Sequence, residues 1–199
     1  MQLFSEDELK NFKPNPDEYM MDPYFDKSVT GQDFLRGACD VFAVKMAKMF
    51  REEGLKVSIE KAKYDDPERV DYIHEYCVVN NNNKFLYVDA RGSFHDYDDF
   101  MSIYDQDDVK SSVKSVVMFE DESIEAHLTD MEEIYWDNDY KSTSMYFADD
   151  LLEEHGDRYE WDVKRELQSP LLKQMTEKVK KNADKAKDVN KSIEIKKGK

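Results

Sequence analysis

Between residues 39 and 51 the apolar positions Val41, Phe42, Ala43, Val44, Met46, Ala47, Met49 and Phe50 recur every three or four residues, with Lys45 and Lys48 off the stripe. That period predicts a mostly buried helix, stopped by Gly54. Gly37 and Ala38 just before it let the backbone pack closely where the chain enters the helix. Leu55, Val57 and Ile59 then alternate with Lys56, Ser58 and Glu60, the signature of a strand with one face covered. Two further runs rich in β-branched and aromatic residues, 70–79 and 84–89, flank Asn80-Asn81-Asn82-Asn83. Asparagine tolerates positive φ better than other non-glycine residues, so this pattern predicts a hairpin. Another strand is expected over Ser112–Phe119, with helices beyond it. Residues 1–30, with Pro14, Pro16 and Pro23, predict an irregular lead-in. The order helix, three or more strands, then helices makes the fold class α+β.

At 199 residues the chain is long enough for one domain with an ordinary core plus extensions, or at most two small domains. We place a single domain over residues 1–168, its core at about 28–120 and an acidic helical extension behind it, with a basic, helical or flexible tail over 169–199. Aromatic residues at 13% exclude a mostly disordered chain. The formal charge of −16 repels phosphate backbones and anionic lipid headgroups, so the body is not expected to bind nucleic acid or membrane. Residues 95–163 carry 22 Asp and Glu against four Lys and Arg, whereas 171–199 carry ten Lys against four Asp and Glu. A basic protein substrate or partner is the expected complement of the acidic body. Neither a signal peptide nor an apolar run of about 20 residues is present. This predicts a cytoplasmic protein, with delivery into another cell left open. The Asn- and Lys-rich, Gly-poor composition fits a low-GC bacterial or phage genome.

Chemistry enters with Cys39 at the predicted helix start, His74 in the second strand and Asp89 at the end of the third. If the hairpin is symmetric about Asn81-Asn82, Val79 faces Lys84, Tyr76 faces Tyr87 and His74 faces Asp89 on one sheet face. A slip of two residues keeps the face and leaves the pair diagonal, and a slip of one separates them. A helix N-terminus stabilises a thiolate through its unpaired N–H groups and dipole, so Cys39 is expected to have a depressed pKa. An imidazole held by a carboxylate is a competent general base and acid. Cys77, offset by three from His74, is expected on the opposite face as a structural thiol.

The strings Gly37-Ala38-Cys39-Asp40-Val41-Phe42-Ala43, His74-Glu75-Tyr76 and Tyr87-Val88-Asp89-Ala90-Arg91-Gly92 resemble the papain-like superfamily in its transglutaminase-type arrangement, over roughly residues 28–93. The short gaps between Cys, His and Asp are most similar to bacterial toxin and effector domains that deamidate glutamine. The resemblance implies a Cys-bearing helix packed on an antiparallel sheet that bears His and Asp. It implies a Cys39-His74-Asp89 catalytic triad that forms a thioester on an amide substrate, as a hydrolase, peptidase, deamidase or transferase. It also implies an oxyanion hole made of the cysteine N–H and an upstream side-chain donor, for which Gln32 is the candidate.

No cofactor or metal is expected. The chain has no glycine-rich phosphate loop, and His95-Asp96-Tyr97-Asp98-Asp99 lacks a second His or Cys at ligand spacing. Asp105-Gln106-Asp107-Asp108 and Asp137-Asn138-Asp139 lack the glycine and terminal Glu of a calcium loop. Tyr135, Trp136, Tyr140, Tyr146 and Phe147 are expected to pack helices under the acidic face, or else to line a substrate groove beside the triad. The competing class is a non-catalytic acidic interaction protein, a nucleic-acid mimic that inhibits a basic partner. In that class Cys39 would be inert.

Overall fold

The computed structural model describes residues 2–15, 26, 28–64, 68, 72–81, 84–104, 112–119, 124–135 and 139–168. It is an α+β fold. Helices α1 (Glu6–Asn11) and α2 (Cys39–Glu52) precede strands β1 (Lys56–Tyr64), β2 (Tyr72–Asn81), β3 (Lys84–Asp89) and β4 (Gly92–Phe94). Then come α3 (Tyr97–Phe100), β5 (Ser112–Phe119), α4 (Ile124–Tyr135) and α5 (Asp139–Gln168). Short 3-10 turns cover Gly31–Leu35 and Met101–Ile103. The strands form one antiparallel sheet in the order β4-β3-β2-β1-β5. Among the described residues no helix is long and apolar enough to cross a membrane.

The apolar stripe of α2 lies on one sheet face, where Val57, Ile59, Cys77, Val79, Leu86 and Val88 meet it, and α4 and α5 close the other side of the helix. Phe34 stacks on both Phe42 and Phe147, at 4.7 and 5.4 Å between centroids. Each such ring, removed from water, contributes on the order of 2 kcal/mol. The opposite sheet face holds a smaller cluster of Ala62, Tyr76, Val78, Tyr97, Phe100 and Met101, covered by α3 and the 3-10 turn after it. Two cores therefore sit on the two faces of one sheet.

Several expectations change here. Part of the lead-in is helical: α1 is started by a capping box in which Ser5 and Glu8 each bond the other's backbone N–H. The prolines mark other positions, and the Ser-x-x-Glu signal decides this one. The hairpin register also differs from the symmetric expectation. Asn81 pairs with Lys84, Val79 with Leu86 and Cys77 with Val88, a slip of two residues. The face of every side chain is conserved by an even slip, so His74 and Asp89 become diagonal neighbours. Of the residues expected to pack helices, Phe147 is buried while Tyr146 is 43% exposed. The acidic runs at 105–108 and 137–138, Trp136 and the tail at 169–199 lie outside the described residues.

Candidate functional site

Cys39 is the first residue of α2, and the preceding Ala38 offers no side-chain cap to the helix N-terminus. Its thiol donates to the carbonyl of Arg36 at 3.4 Å, and its sulfur accepts from the backbone N–H of Glu75. The described pairing of β2 with β3 begins at Cys77↔Val88. Glu75 itself pairs with Lys61 of β1. Side chains alternate along a strand, so His74 shares the sheet face of Tyr76 and Phe100, opposite to the face that α2 covers, and Cys39 meets β2 at Glu75, one residue along the strand. No hydrogen bond joins Cys39 to His74 directly.

His74 is fully buried. Its ring lies against Tyr104, Tyr76 and Phe100, at 5.0, 5.7 and 5.7 Å between centroids. Its Nε2 is 3.2 Å from Asp89 Oδ2, and its Nδ1 is buried with no hydrogen-bond partner among the described residues. A carboxylate on Nε2 selects the tautomer that carries its proton there, which leaves the Nδ1 lone pair as the base. Tyr104, whose ring touches His74, donates its hydroxyl proton to Leu35 O at 2.7 Å. That bond ties the cover of the imidazole to the loop that leads into Cys39.

Asp89 is equally buried, and most of its bonds go to Arg91. The Arg91 backbone N–H donates to Oδ1 at 2.8 Å, Nε lies 3.1 Å from both oxygens, and Nη2 lies 2.7 Å from Oδ2. The turn Ala90-Arg91 brings residues 89 and 91 onto one side, and Gly92, at φ 118°, supplies the conformation that closes it. Sequence reasoning passed over Arg91. An Asp-x-Arg-Gly string at a strand end was the available signal.

The thiol environment corrects the expected depressed pKa. Burial, then the adjacent Asp40 carboxylate, pushes the Cys39 thiol up to about 12, against the Glu75 N–H bond that lowers it. Asp40 is held by Lys141 at 2.6 Å and by the Tyr135 hydroxyl at 2.8 Å, and Glu75 by Lys61 at 2.8 Å. The helix dipole is thus outweighed by desolvation and two carboxylates. Burial also lowers the pKa of His74, against the bond and charge of Asp89 that raise it. For Asp89, burial raises the pKa, yet the Arg91 charge and the His74 bond hold it below the ordinary carboxylate range. These directions favour a neutral thiol and a neutral imidazole beside an Asp–Arg ion pair.

Gln32 lies half-buried in the first 3-10 turn and makes no hydrogen bond to Cys39. Cys77 faces α2, donating its thiol proton to Ala43 O at 2.9 Å, and both cysteines are reduced. His95 pairs with Glu166 at 2.6 Å. Among the described residues no group of three His, Cys, Asp or Glu could hold a metal. Away from these residues, a cleft of about 620 Å³ lies between Phe12, Lys13 and α5, where Phe147 and Leu151 accompany Asp150, Glu153 and Glu154. Comparisons with protein-family models, with curated proteins and with solved structures returned no match.

The buried imidazole carries a pH prediction. With its folded pKa below 6.5, the unfolded chain binds the extra proton first. Stability is therefore lost as pH falls below about 6.5, by about 1.4 kcal/mol per pH unit and per proton until His74 itself titrates in the folded state. Asp89 continues the loss in the same direction below about pH 4, as pH falls toward its lowered pKa. Glu75, raised by burial, acts with the opposite sign above 4.5, so the His74 contribution is read as a difference. Urea unfolding between pH 7 and 5 should show a shallower loss in His74→Gln than in the wild type. Parallel curves would mean that His74 titrates alike in the folded and the unfolded chain.

Proposed function

We propose that the protein is a cysteine-dependent acyl-transfer enzyme of the thiol hydrolase, deamidase or peptidase type, on a papain-like, transglutaminase-like core. The observation that carries this reading is the His74 imidazole. It is fully buried, held through Nε2 by Asp89, and its other nitrogen has no hydrogen-bond partner among the described residues, one residue along β2 from the amide that holds the Cys39 sulfur. An unsatisfied buried nitrogen costs stability, on the order of 1–3 kcal/mol, and a proton-transfer role accounts for its retention.

The chemistry begins from the neutral pair. The Cys39 sulfur adds to an amide carbonyl as its proton passes to His74 Nδ1. Asp89 stabilises the imidazolium through Nε2–H. The uncapped N–H groups at the start of α2 face the developing oxyanion, with Gln32 as the implied side-chain donor. Collapse breaks the C–N bond, Nδ1–H protonates the leaving amine, and a thioester remains on Cys39. Water, deprotonated by Nδ1, then releases the acid and restores the thiol. Cys39 is 2% exposed and His74 0%, so substrate reaches them after the surrounding chain shifts. The acidic body favours a basic protein as that substrate.

The test uses p-nitrophenyl acetate as acyl donor, with nitrophenol release followed spectroscopically and the acetyl group located by peptide mass spectrometry. Acetylation of Cys39 ahead of Cys77, lost in Cys39→Ala and reduced about 100-fold or more in His74→Gln, is the expected result. Equal labelling of Cys39 in wild type and His74→Gln would overturn the reading. An acidic interaction protein would then take its place, with the Asp150, Glu153 and Glu154 cleft as the surface to probe.

A further inference from the structure

We infer that Arg91 is the positioning residue of this site: it fixes Asp89 so that Oδ2 meets His74 Nε2, and it cancels the carboxylate's charge so that the imidazole rests in its base form. This rests on the triad reading above and deepens it. The starting point is Asp89, a carboxylate 3% exposed at the end of a strand. A buried carboxylate needs partners for both oxygens. Oδ1 receives the backbone N–H and Nε of Arg91, and Oδ2 receives Nη2 and Nε along with the imidazole. Only a planar guanidinium offers donors in that fork; a lysine would supply a point charge and let the carboxylate turn.

Arg91 is itself held from every side. Nη2 also donates to Phe100 O at 2.6 Å, and the guanidinium lies 4.8 and 5.2 Å from the ring centroids of Phe94 and Phe100. The backbone of its turn is clamped as well. Leu3 and Phe4 donate their N–H groups to Arg91 O, and the Tyr159 hydroxyl donates to Ala90 O. The N-terminal segment and α5 thus lock a turn that the hairpin alone would leave at the sheet edge.

The electrostatic consequence follows from which charges face the imidazole. Among the described residues these are Asp89 from β3 and Arg91 from the turn, with the neutral hydroxyl-bearing rings of Tyr76 and Tyr104 beside them. An unpaired Asp89 would draw a proton onto His74 and leave it unable to accept the thiol's. Paired with Arg91, it orients the ring without that pull.

The experiment compares the full-length wild type with Arg91→Lys and Arg91→Met by NMR of ring-labelled histidine, with His74 assigned by loss of its signals in His74→Gln. Retained near-UV circular dichroism is the check on folding. In the wild type His74 should remain neutral through neutral pH, with one hydrogen-bonded Nε2–H proton shifted far downfield. Arg91→Met should move its titration upward, toward neutral pH. Arg91→Lys, which keeps the positive charge and is the variant to rely on if Arg91→Met does not fold, should lose or broaden the Nε2–H signal. An unchanged Nε2–H signal in Arg91→Lys, or an unchanged titration in a folded Arg91→Met, would reduce Arg91 to a brace for the turn and overturn the inference. The readout is the imidazole, so failure of Cys39 to take an acyl group would remove the enzyme reading and leave the positioning role of Arg91 standing.

Discussion

Asp89→Ala is expected to cost the fold about 3–5 kcal/mol, because it strands the Arg91 guanidinium in a buried site with, among the described residues, the Phe100 carbonyl as its remaining acceptor. The variant also removes the acceptor of the Arg91 backbone N–H and the partner of His74 Nε2. Set against the roughly 5–15 kcal/mol of an ordinary domain, this loss should bring the urea midpoint down steeply. The charge logic gives the control. Asp89→Leu combined with Arg91→Met replaces the pair by apolar groups of similar size and should recover much of the loss, since a buried ion pair is costly to break and cheap to remove whole. If Asp89→Ala unfolds within about 1 kcal/mol of the wild type, water reaches the pair and the site is more open than its burial indicates.

The second large effect concerns the resting thiol. Raising the Cys39 pKa from 9.0 to about 12 lowers its thiolate fraction at neutral pH about a thousandfold. Alkylation by iodoacetamide at pH 7.5 should therefore be slower than for an ordinary exposed thiol by about that factor, before steric cover adds to it. The rate should climb about tenfold per pH unit through pH 10 with no plateau near neutrality. A plateau between pH 5 and 8 that disappears in His74→Gln would show a thiolate–imidazolium pair at rest, contrary to the neutral pair described above. Under the proposed mechanism, acyl transfer from a bound donor obeys a different rule, because Nδ1 would take the proton as the bond forms. Slow alkylation together with acylation of Cys39 is the combined signature of a site that rests neutral.

Much of the fold is legible in the residue pattern alone. The three- and four-residue stripe from Val41 to Phe50 defines α2 because one face of a helix must be apolar to be buried. The alternation at Val57 and Ile59 defines β1 for the corresponding reason in a strand. The common face of His74 and Asp89 survives the two-residue difference in register because side-chain direction in a strand has period two. What local pattern does not supply is the closing turn of the hairpin: four consecutive asparagines offer several equivalent two-residue loops, and the choice among them rests on packing across the sheet. Helix α1 carries a signal in Ser5 and Glu8 that nearby prolines obscure.

The sequence by itself determined the α+β order, the start of α2 at Cys39, the opposite faces of His74 and Cys77, and the acidity of the body. These follow from periodicity, capping and composition, which act over a few residues. Tertiary structure alone decided the protonation state of the site. Whether a thiol at a helix start is acidic or inert depends on burial and on Asp40 and Glu75 against it, and whether an Asp beside a His charges that His depends on Arg91. Those are balances of desolvation against Coulomb energy among groups brought together by the fold, and no local pattern encodes them.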